Sequence, residues 1–419
     1  MYQRTSQKRF TTLDGISKLF YPHRSSFRNI DRAQNGGLVL SRFLSAATIF
    51  MAFFLALVAS NALAQTDANQ IMDYLEQVRR ETGAPGISVA VALKGELIVS
   101  CGVGYAELDN STPTTGRTIH NIGSVSKTLA AVAVMQLVEQ GKVKLDDPIQ
   151  KYVPYFPEKR RPITIRHILT HTSGIRHYKD GEFGAQQIKE KMHYNSLQEG
   201  IEIFKDDTLL FEPGKYWFYS SHASNLMQGI IETVTAMGFE AYLKKHVWEP
   251  AGMLSTAFDV SERIVHNRGR GYIRNEQRVL INVPYADVSY KYAGGGMIST
   301  VEDLARFGTA MNDGTLLRPE TVAMMYKVQV DPVMRYNPSG QPQKMPHRQA
   351  LSWFIRTDAQ GRTFPSHTGT VKGCRSYLLN YPEHGLVIAL IANIVPFDSP
   401  KYGDAIAQLF LAPVNRASN

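Results

Sequence analysis

The chain reads as an α/β protein of the α+β kind. An antiparallel sheet is built from both ends of the folded region, flanked by the terminal helices, and a mainly helical region is inserted in the middle. Three features point that way. Strand-like runs cluster just after residue 85 and again after residue 350, helical patterning dominates the stretch between, and a helix-patterned segment sits outside each strand cluster. With 419 residues, 43% hydrophobic and 10% aromatic, the chain can bury a sizeable core.

The first element is residues 67–82, "DANQIMDYLEQVRRET", where Ile71, Leu75 and Val78 share one helical face and Gly83 stops the helix. "GISVAVAL" (86–93) and "ELIVSCGVGYAEL" (96–108) follow as β-rich runs joined at Lys94-Gly95, which predicts a hairpin. Residues 124 to about 285 are mostly helical in pattern, with loops rich in Pro and Gly. "LSWFIRT", "SYLLNYP" and "LVIALIANI" then restore the strand pattern around turns at Asp358 to Gly361 and Glu383 to Gly385, and "YGDAIAQLFLA" closes with a helix. A catalytic cleft is expected where the sheet and helical parts meet.

The domain expected is residues 65–419, with a sheet part at about 65–123 and 290–419 and a helical part at about 124–289. Residues 1–64 form a leader. It carries eight Lys/Arg against two acids, so six of the nine net positive charges lie there and little is left for a basic surface elsewhere. Nucleic-acid binding by the rest of the chain is therefore not expected. After Arg42 the run "FLSAATIFMAFFLALVASNALA" is uncharged and ends in Ala62-Leu63-Ala64. That pattern fits a cleaved signal peptide, and its length also suits an uncleaved membrane anchor. Both place everything after residue 65 outside the cytoplasm, periplasmic or secreted, or anchored to the inner membrane facing the periplasm. Contact with a membrane is expected only through such an anchor. Two cysteines, Cys101 and Cys374, make no disulfide framework and no CxxC ligand pair, and read as small buried hydrophobes.

In "NIGSVSKTLAAVAVMQLVEQGKV" (121–143) a serine and a lysine stand three apart where an apolar helical run begins. Ser124 lies at or beside the helix N-terminus, and Lys127, one turn along the same face, can reach its hydroxyl. Apolar neighbours and the positive helix end both disfavour the charged amine. Moving a lysine from about 10.4 to about 8 takes roughly 3 kcal/mol, within what burial supplies. A neutral amine there can take the serine proton. Taken alone, S-x-x-K is a weak motif that reads first as an N-cap serine followed by a solvated lysine.

Two further segments strengthen the chemical reading. "FEPGKYWFYSSHASNLMQGIIE" (211–232) leads through aromatics to Tyr219-Ser220-Ser221 and into a helix, a corner from which the Tyr219 hydroxyl can pass a proton in a cleft. "RTFPSHTGTVKGCRSYLLNYP" (362–382) puts His367-Thr368-Gly369 on or beside a strand, where Gly369 admits a substrate backbone and the Thr370 amide, with that of Ser124, can donate to a developing oxyanion. Each alone reads first as an ordinary core tyrosine or a turn histidine on a strand edge.

Together, in this order, the three segments resemble the serine β-lactamase-like family of penicillin-binding proteins, class C β-lactamases, D,D-peptidases and related esterases. "LDDPIQKYVPYFP", "ITIRHILTHTSGI" and "YAGGGMISTVEDLARFGTAM" look like that family's connecting segments, and the resemblance covers roughly residues 67–412. "GIRHY" and "SYKYAGGGMISTVEDL" look closest to the branch that holds mitochondrial serine β-lactamase-like proteins and bacterial relatives.

The resemblance implies the β-lactamase/transpeptidase-like fold, Ser124 as nucleophile, Lys127 as its base and Tyr219 as second proton carrier. It gives Ser221, His367, Gly369 and Thr370 substrate-binding or oxyanion roles. The implied activity is an exported serine hydrolase working through an acyl-enzyme on a peptide, amide or ester bond. The alternative is a β-lactamase or D,D-carboxypeptidase, and beyond that a non-hydrolytic binding or assembly relative.

Two departures matter. Ser221 stands where the tyrosine motif commonly ends in asparagine, and His367 stands where many true β-lactamases carry lysine, so only a fractional positive charge is expected near neutral pH. Both weaken the case for efficient antibiotic hydrolysis. The resemblance also implies no Cys101–Cys374 disulfide, since the strands concerned lie apart in the family's sheet. No cofactor is expected. His167 and His171, four apart, lack an H-E-x-x-H motif and a third ligand, and Gly294-Gly295-Gly296 lacks the G-K-[ST] of a phosphate loop, so neither a metal nor a nucleotide follows. The basic loop from Arg176 to Asp207 is expected to rim the cleft.

Overall fold

The computed structural model describes residues 68–179, 182, 192–332, 334–337, 341–345 and 347–411. The leader, with both readings of its apolar run, lies outside these residues.

Helix α1 spans residues 68–82 and presents Ile71, Leu75 and Val78 to a core, as their spacing requires. Strand β1 (Gly86–Leu93) turns at Lys94 and Gly95, both at positive φ (52° and 92°), into β2 (Glu96–Glu107). That left-handed pair matches the twist of an antiparallel hairpin. The C-terminal strands are β3 (Phe354–Thr357), β4 (Thr363–Val371), β5 (Cys374–Tyr381) and β6 (Leu386–Ala392). They join the hairpin in the order β3-β4-β5-β6-β1-β2, every pair antiparallel, with the two-residue strands Arg348–Gln349 and Thr112–Pro113 at the edges. The sheet is thus built from both ends of the described domain.

Strand periodicity separates two cores. In β1, Ile87, Val89 and Val91 face one core while Ala90 and Ala92 face the other; in β6, Leu386, Ile388 and Leu390 oppose Val387, Ala389 and Ile391 in the same way. Helices α1 and α5 (Ser399–Phe410) cover the first face. The second is covered by α4 (Val301–Asn312), whose Gly308 leaves room for Val387, and by the helical part beyond it.

Helix α2 (Ser126–Glu139) runs through that second core, with Leu129 to Met135 wholly inaccessible to solvent. A helix apolar on all sides belongs inside, and its first residues, Ser126 and Lys127, are buried with the rest. Helix α3 (Ser221–Thr235) packs beside it, started by the Ser220 hydroxyl accepting from the Ala223 amide.

Cys101 lies on β2 and Cys374 on β5, with β6 and β1 between them, and both thiols are free. Three strand spacings of about 4.8 Å exceed the reach of a disulfide. Cys374 is buried, whereas Cys101 is partly exposed.

Candidate active site

The polypeptide enters α2 through a tight turn, Gly123–Val125, with Gly123 at φ +50°. A Cβ at Gly123 would sit 2.6 Å from the Thr370 amide nitrogen, and one at Gly369 would sit 1.9 Å from the Ile122 carbonyl oxygen. Only glycine at both positions lets the Ser124 turn lie against β4. The Ser376 hydroxyl donates to that same Ile122 carbonyl at 2.6 Å and locks the contact. Strand β4 pairs with β3 only as far as Ser366, so the edge from His367 onward borders the cavity instead of another described strand.

That cavity, of about 330 Å3, is lined by Ser124, Tyr219, Ser221, His367 and Thr370 among others. The structure therefore brings together residues drawn from sequence positions almost 250 apart. Lys127 reaches the Ser124 hydroxyl from beneath: its Nζ lies 2.9 Å from Ser124 Oγ and 3.0 Å from Ser221 Oγ, and donates to the Gly294 carbonyl. The lysine is completely buried, and burial, aided by the charge of Lys291, holds its amine well below the usual lysine range. A neutral amine has two protons and one lone pair. It can donate to Gly294 and Ser221 while its lone pair takes the Ser124 proton.

Tyr219 sits two residues before α3, beside the Lys127 amine, which lies 4.9 Å from the ring centroid. Burial pushes its phenol up, partly offset by the Ser124 and Ser221 hydroxyls, so the ring oxygen keeps its proton at neutral pH. His171 packs against the ring at 4.4 Å, His177 edge-on at 5.4 Å. The Ser221 amide donates to His177 Nδ1 at 3.2 Å. Ser221 is thus occupied with Lys127 and His177 as well as facing the cavity.

His367 departs from expectation. It is 1% exposed, and burial, then the neighbouring Lys127, pushes its imidazole down to about 3. Its Nδ1 lies 2.7 Å from the Thr368 carbonyl, which makes Nδ1 the protonated nitrogen, and Phe354 stacks on the ring at 5.0 Å. The fractional charge anticipated from the sequence is therefore absent: a ring stripped of water cannot hold the proton.

His167 and His171 do not share a helix. His167 caps the short helix Ile165–Leu169 through Thr164, whereas His171 lies beyond its end at φ +55°. Among the described residues no group of three His, Cys, Asp or Glu side chains is arranged to hold a metal. The glycine run falls in and just after a short helix, Tyr292–Gly295, whose Gly294 carbonyl accepts a hydrogen bond from the Lys127 amine. Of the basic loop, His177 and Tyr178 line the cavity, while Arg176 pairs with Glu182 and Asp207.

Sequence reasoning missed Lys291, Phe354 and Arg375, which also line the cavity. Lys291, in the quoted "SYKYAGGG", was the most accessible of these, because a lysine amid tyrosines and glycines is an unusual surface pattern. Phe354 and Arg375 carry no local signal.

Residues 69–412 match the Beta-lactamase family. The human protein "Serine beta-lactamase-like protein LACTB, mitochondrial" is 30% identical over 77% of this chain and 76% of its own length. Among solved structures, the octameric penicillin-binding protein homologue from Pyrococcus abyssi is 27% identical with a TM-score of 0.70, covering 81% of this chain and 77% of that one. A penicillin-binding protein from Bacillus halodurans shares the fold at TM-score 0.67 and 20% identity, over 80% of this chain and 99% of that one. The order of Ser124, Lys127, Tyr219 and His367 around one cleft and these likenesses agree, and the chain belongs to the β-lactamase family, within the superfamily of serine hydrolases that includes penicillin-binding proteins.

Proposed function

We propose that this chain is an exported hydrolase that cleaves a peptide, amide or ester bond through an acyl-enzyme on Ser124. The observation that carries the reading is the fully buried Lys127 amine 2.9 Å from the Ser124 hydroxyl. Lys127 takes the hydroxyl proton as Oγ attacks the acyl carbonyl. The negative charge that develops on the carbonyl oxygen is met by the amides of Ser124 and Thr370. A proton then passes from Lys127, by way of the Tyr219 hydroxyl, to the departing amine or alcohol, which leaves as the acyl-enzyme forms. Water, deprotonated by the same pair, releases the acid and returns the proton to Ser124.

Export rests on the basic flank, the apolar run and the small-residue ending of the leader. Among the described residues no helix is long and apolar enough to cross a membrane.

A β-lactamase or D,D-carboxypeptidase activity is the second reading, favoured by the likeness to penicillin-binding proteins. Two features weigh against efficient β-lactam turnover: Ser221 offers no amide to a β-lactam side chain, and His367 carries no charge for its carboxylate. Intact mass after exposure to a fluorophosphonate and to a penicillin, in the wild type and in Ser124→Ala, tests both readings. One adduct expected on the wild type and none on the alanine variant supports the nucleophile; labelling of Ser124→Ala at wild-type stoichiometry overturns it. Turnover of p-nitrophenyl butyrate should exceed that of nitrocefin, and nitrocefin hydrolysis near the diffusional limit would instead promote the β-lactamase reading.

A further inference from the structure

We infer that Asp259 is a positioning residue of the oxyanion hole, clamping from behind the two segments that supply its donors, while the Ser376–Ile122 hydrogen bond joins them at the front. The inference rests on the acyl-enzyme reading above for its function, though the clamp itself is a matter of geometry.

The two donors come from different places. Ser124 follows the strand His120–Asn121 by three residues, and Thr370 precedes the hairpin turn Lys372-Gly373 by two. Nothing in the covalent chain holds these ends at a fixed separation. Asp259 bridges them: its Oδ2 accepts from Asn121 Nδ2 at 2.6 Å and from Lys372 Nζ at 3.0 Å, while its Oδ1 accepts from Arg268.

The carboxylate is itself fixed. Its side chain is 1% exposed, and the Asp259 amide donates to the Gly296 carbonyl at 2.9 Å. Just before it, Ala257–Phe258 pairs with Met297–Ser299, the same strand that pairs with His120–Asn121. Arg268 adds a third tie, because the Ile119 amide donates to Asn267 and the Gly269 amide to Ile119. Gly271 then lies so close to the Lys372 carbonyl that a Cβ would fall 1.9 Å away.

Burial alone would raise this carboxyl, but the Lys372 and Arg268 cations hold it below the ordinary range. It therefore stays ionised and keeps both ends of the clamp. The network lies outside the cavity lining, so it does not touch substrate. Its consequence is the spacing between two backbone amides, to which catalysis is sensitive, since a misplacement of about 1 Å can cost roughly 10²-fold.

The test is Asp259→Asn, with the swap Asn121→Asp/Asp259→Asn as the rescue that keeps one carboxylate and one amide at the same two positions. In Asp259→Asn, kcat for p-nitrophenyl butyrate should fall about 10-fold or more with KM nearly unchanged, and affinity for phenylboronic acid should fall in parallel, because both depend on aligned oxyanion donors. Amide hydrogen exchange should rise in peptides covering residues 119–125 and 368–373 but not in 386–392, and the swap should restore kcat and exchange towards wild type. Wild-type kcat, boronate affinity and local exchange in Asp259→Asn would overturn the inference. So would exchange rising equally in all three peptides, which marks a general loss of stability. A wild type that neither turns over the ester nor labels at Ser124 would sink the acyl-enzyme reading instead, while the exchange pattern would still decide the clamp.

Discussion

Gly369→Ala would separate the catalytic demand on that position from a merely conformational one. Gly369 is not in the left-handed region, so its backbone suits alanine; only space forbids the methyl group. The added Cβ would lie 1.9 Å from the Ile122 carbonyl oxygen and 2.4 Å from Ser376 Oγ. The hydroxyl can rotate away, but the carbonyl belongs to the backbone that leads into Ser124. Restoring a normal carbon–oxygen contact of about 3.3 Å requires the two segments to part by roughly 1.4 Å. That displaces one oxyanion donor relative to the other, and loss of one donor typically lowers kcat by about 10²–10³-fold, roughly 3–4 kcal/mol of barrier. Overpacking should cost stability about 1–3 kcal/mol, too little to unfold most domains. The assay is kcat on p-nitrophenyl butyrate per folded molecule, with thermal unfolding alongside. Gly141→Ala is the control: at φ +70° with no atom within 4 Å, it should cost about 1–2 kcal/mol of backbone strain and leave kcat alone. Gly369→Ala with kcat within about 3-fold of wild type would refute the close-packed oxyanion site.

Two further predictions concern protons. Lys291 helps hold the Lys127 amine down, so Lys291→Met should let that amine rise and move the acid limb of kcat/KM to higher pH; a limb that stays put or moves to lower pH would contradict the coupling. His120 and His347 are pushed down to about 4, and His177 and His367 to about 3, chiefly by burial. Each titrates near 6.5 once unfolded, so the unfolded chain binds protons first. Their stabilisation is complete above about pH 6.5 and is lost as pH falls towards 4, by at most about 1.4 kcal/mol per pH unit per histidine. Denaturant midpoints between pH 7 and 4 should show this slope, and His347→Phe, placed against Trp217 and Phe354, should flatten it.

What could be read from the sequence was what depends on local spacing. The alternation in "GISVAVAL" and "LVIALIANI" is enough for two-faced strands, and it correctly assigned the sheet to both ends of the domain. Ser124 and Lys127 share one helical turn, so their contact follows from sequence separation alone. Tyr219 was placed by the helix start that follows it. The residues that escaped are those whose roles arise from chain segments far apart. Arg375 borders the cavity because β5 pairs with β4 in a register that sets it opposite Thr370, and no local pattern states a register. Asp259 lies in a loop of ordinary composition. Charge states were equally out of reach: a histidine in a strand reads as a neutral-pH titrant until the ring stacked on it, and the water kept from it, are known.

The loss of charge on His367 transfers the question of anion recognition to Arg375. The sequence placed a histidine of only fractional charge where many β-lactamases carry a lysine, and a ring held down to about 3 carries no positive charge at pH 7. On the Thr370 side of the cavity the charged group is Arg375, whose guanidinium donates to Thr370 Oγ and whose Nε is buried without a hydrogen-bond partner. Arg375 lines the cavity, so its cation can meet a substrate carboxylate that reaches past Thr370. Arg375→Gln should therefore lower kcat/KM for a thioester or ester whose leaving group bears a carboxylate by about 10-fold or more, the scale of one hydrogen bond to a charged group. Uncharged p-nitrophenyl butyrate should lose far less, and the difference should shrink with added salt. Equal losses on both substrates would mean that Arg375 serves only to hold Thr370, and would leave the cavity without a preference for anions on that side.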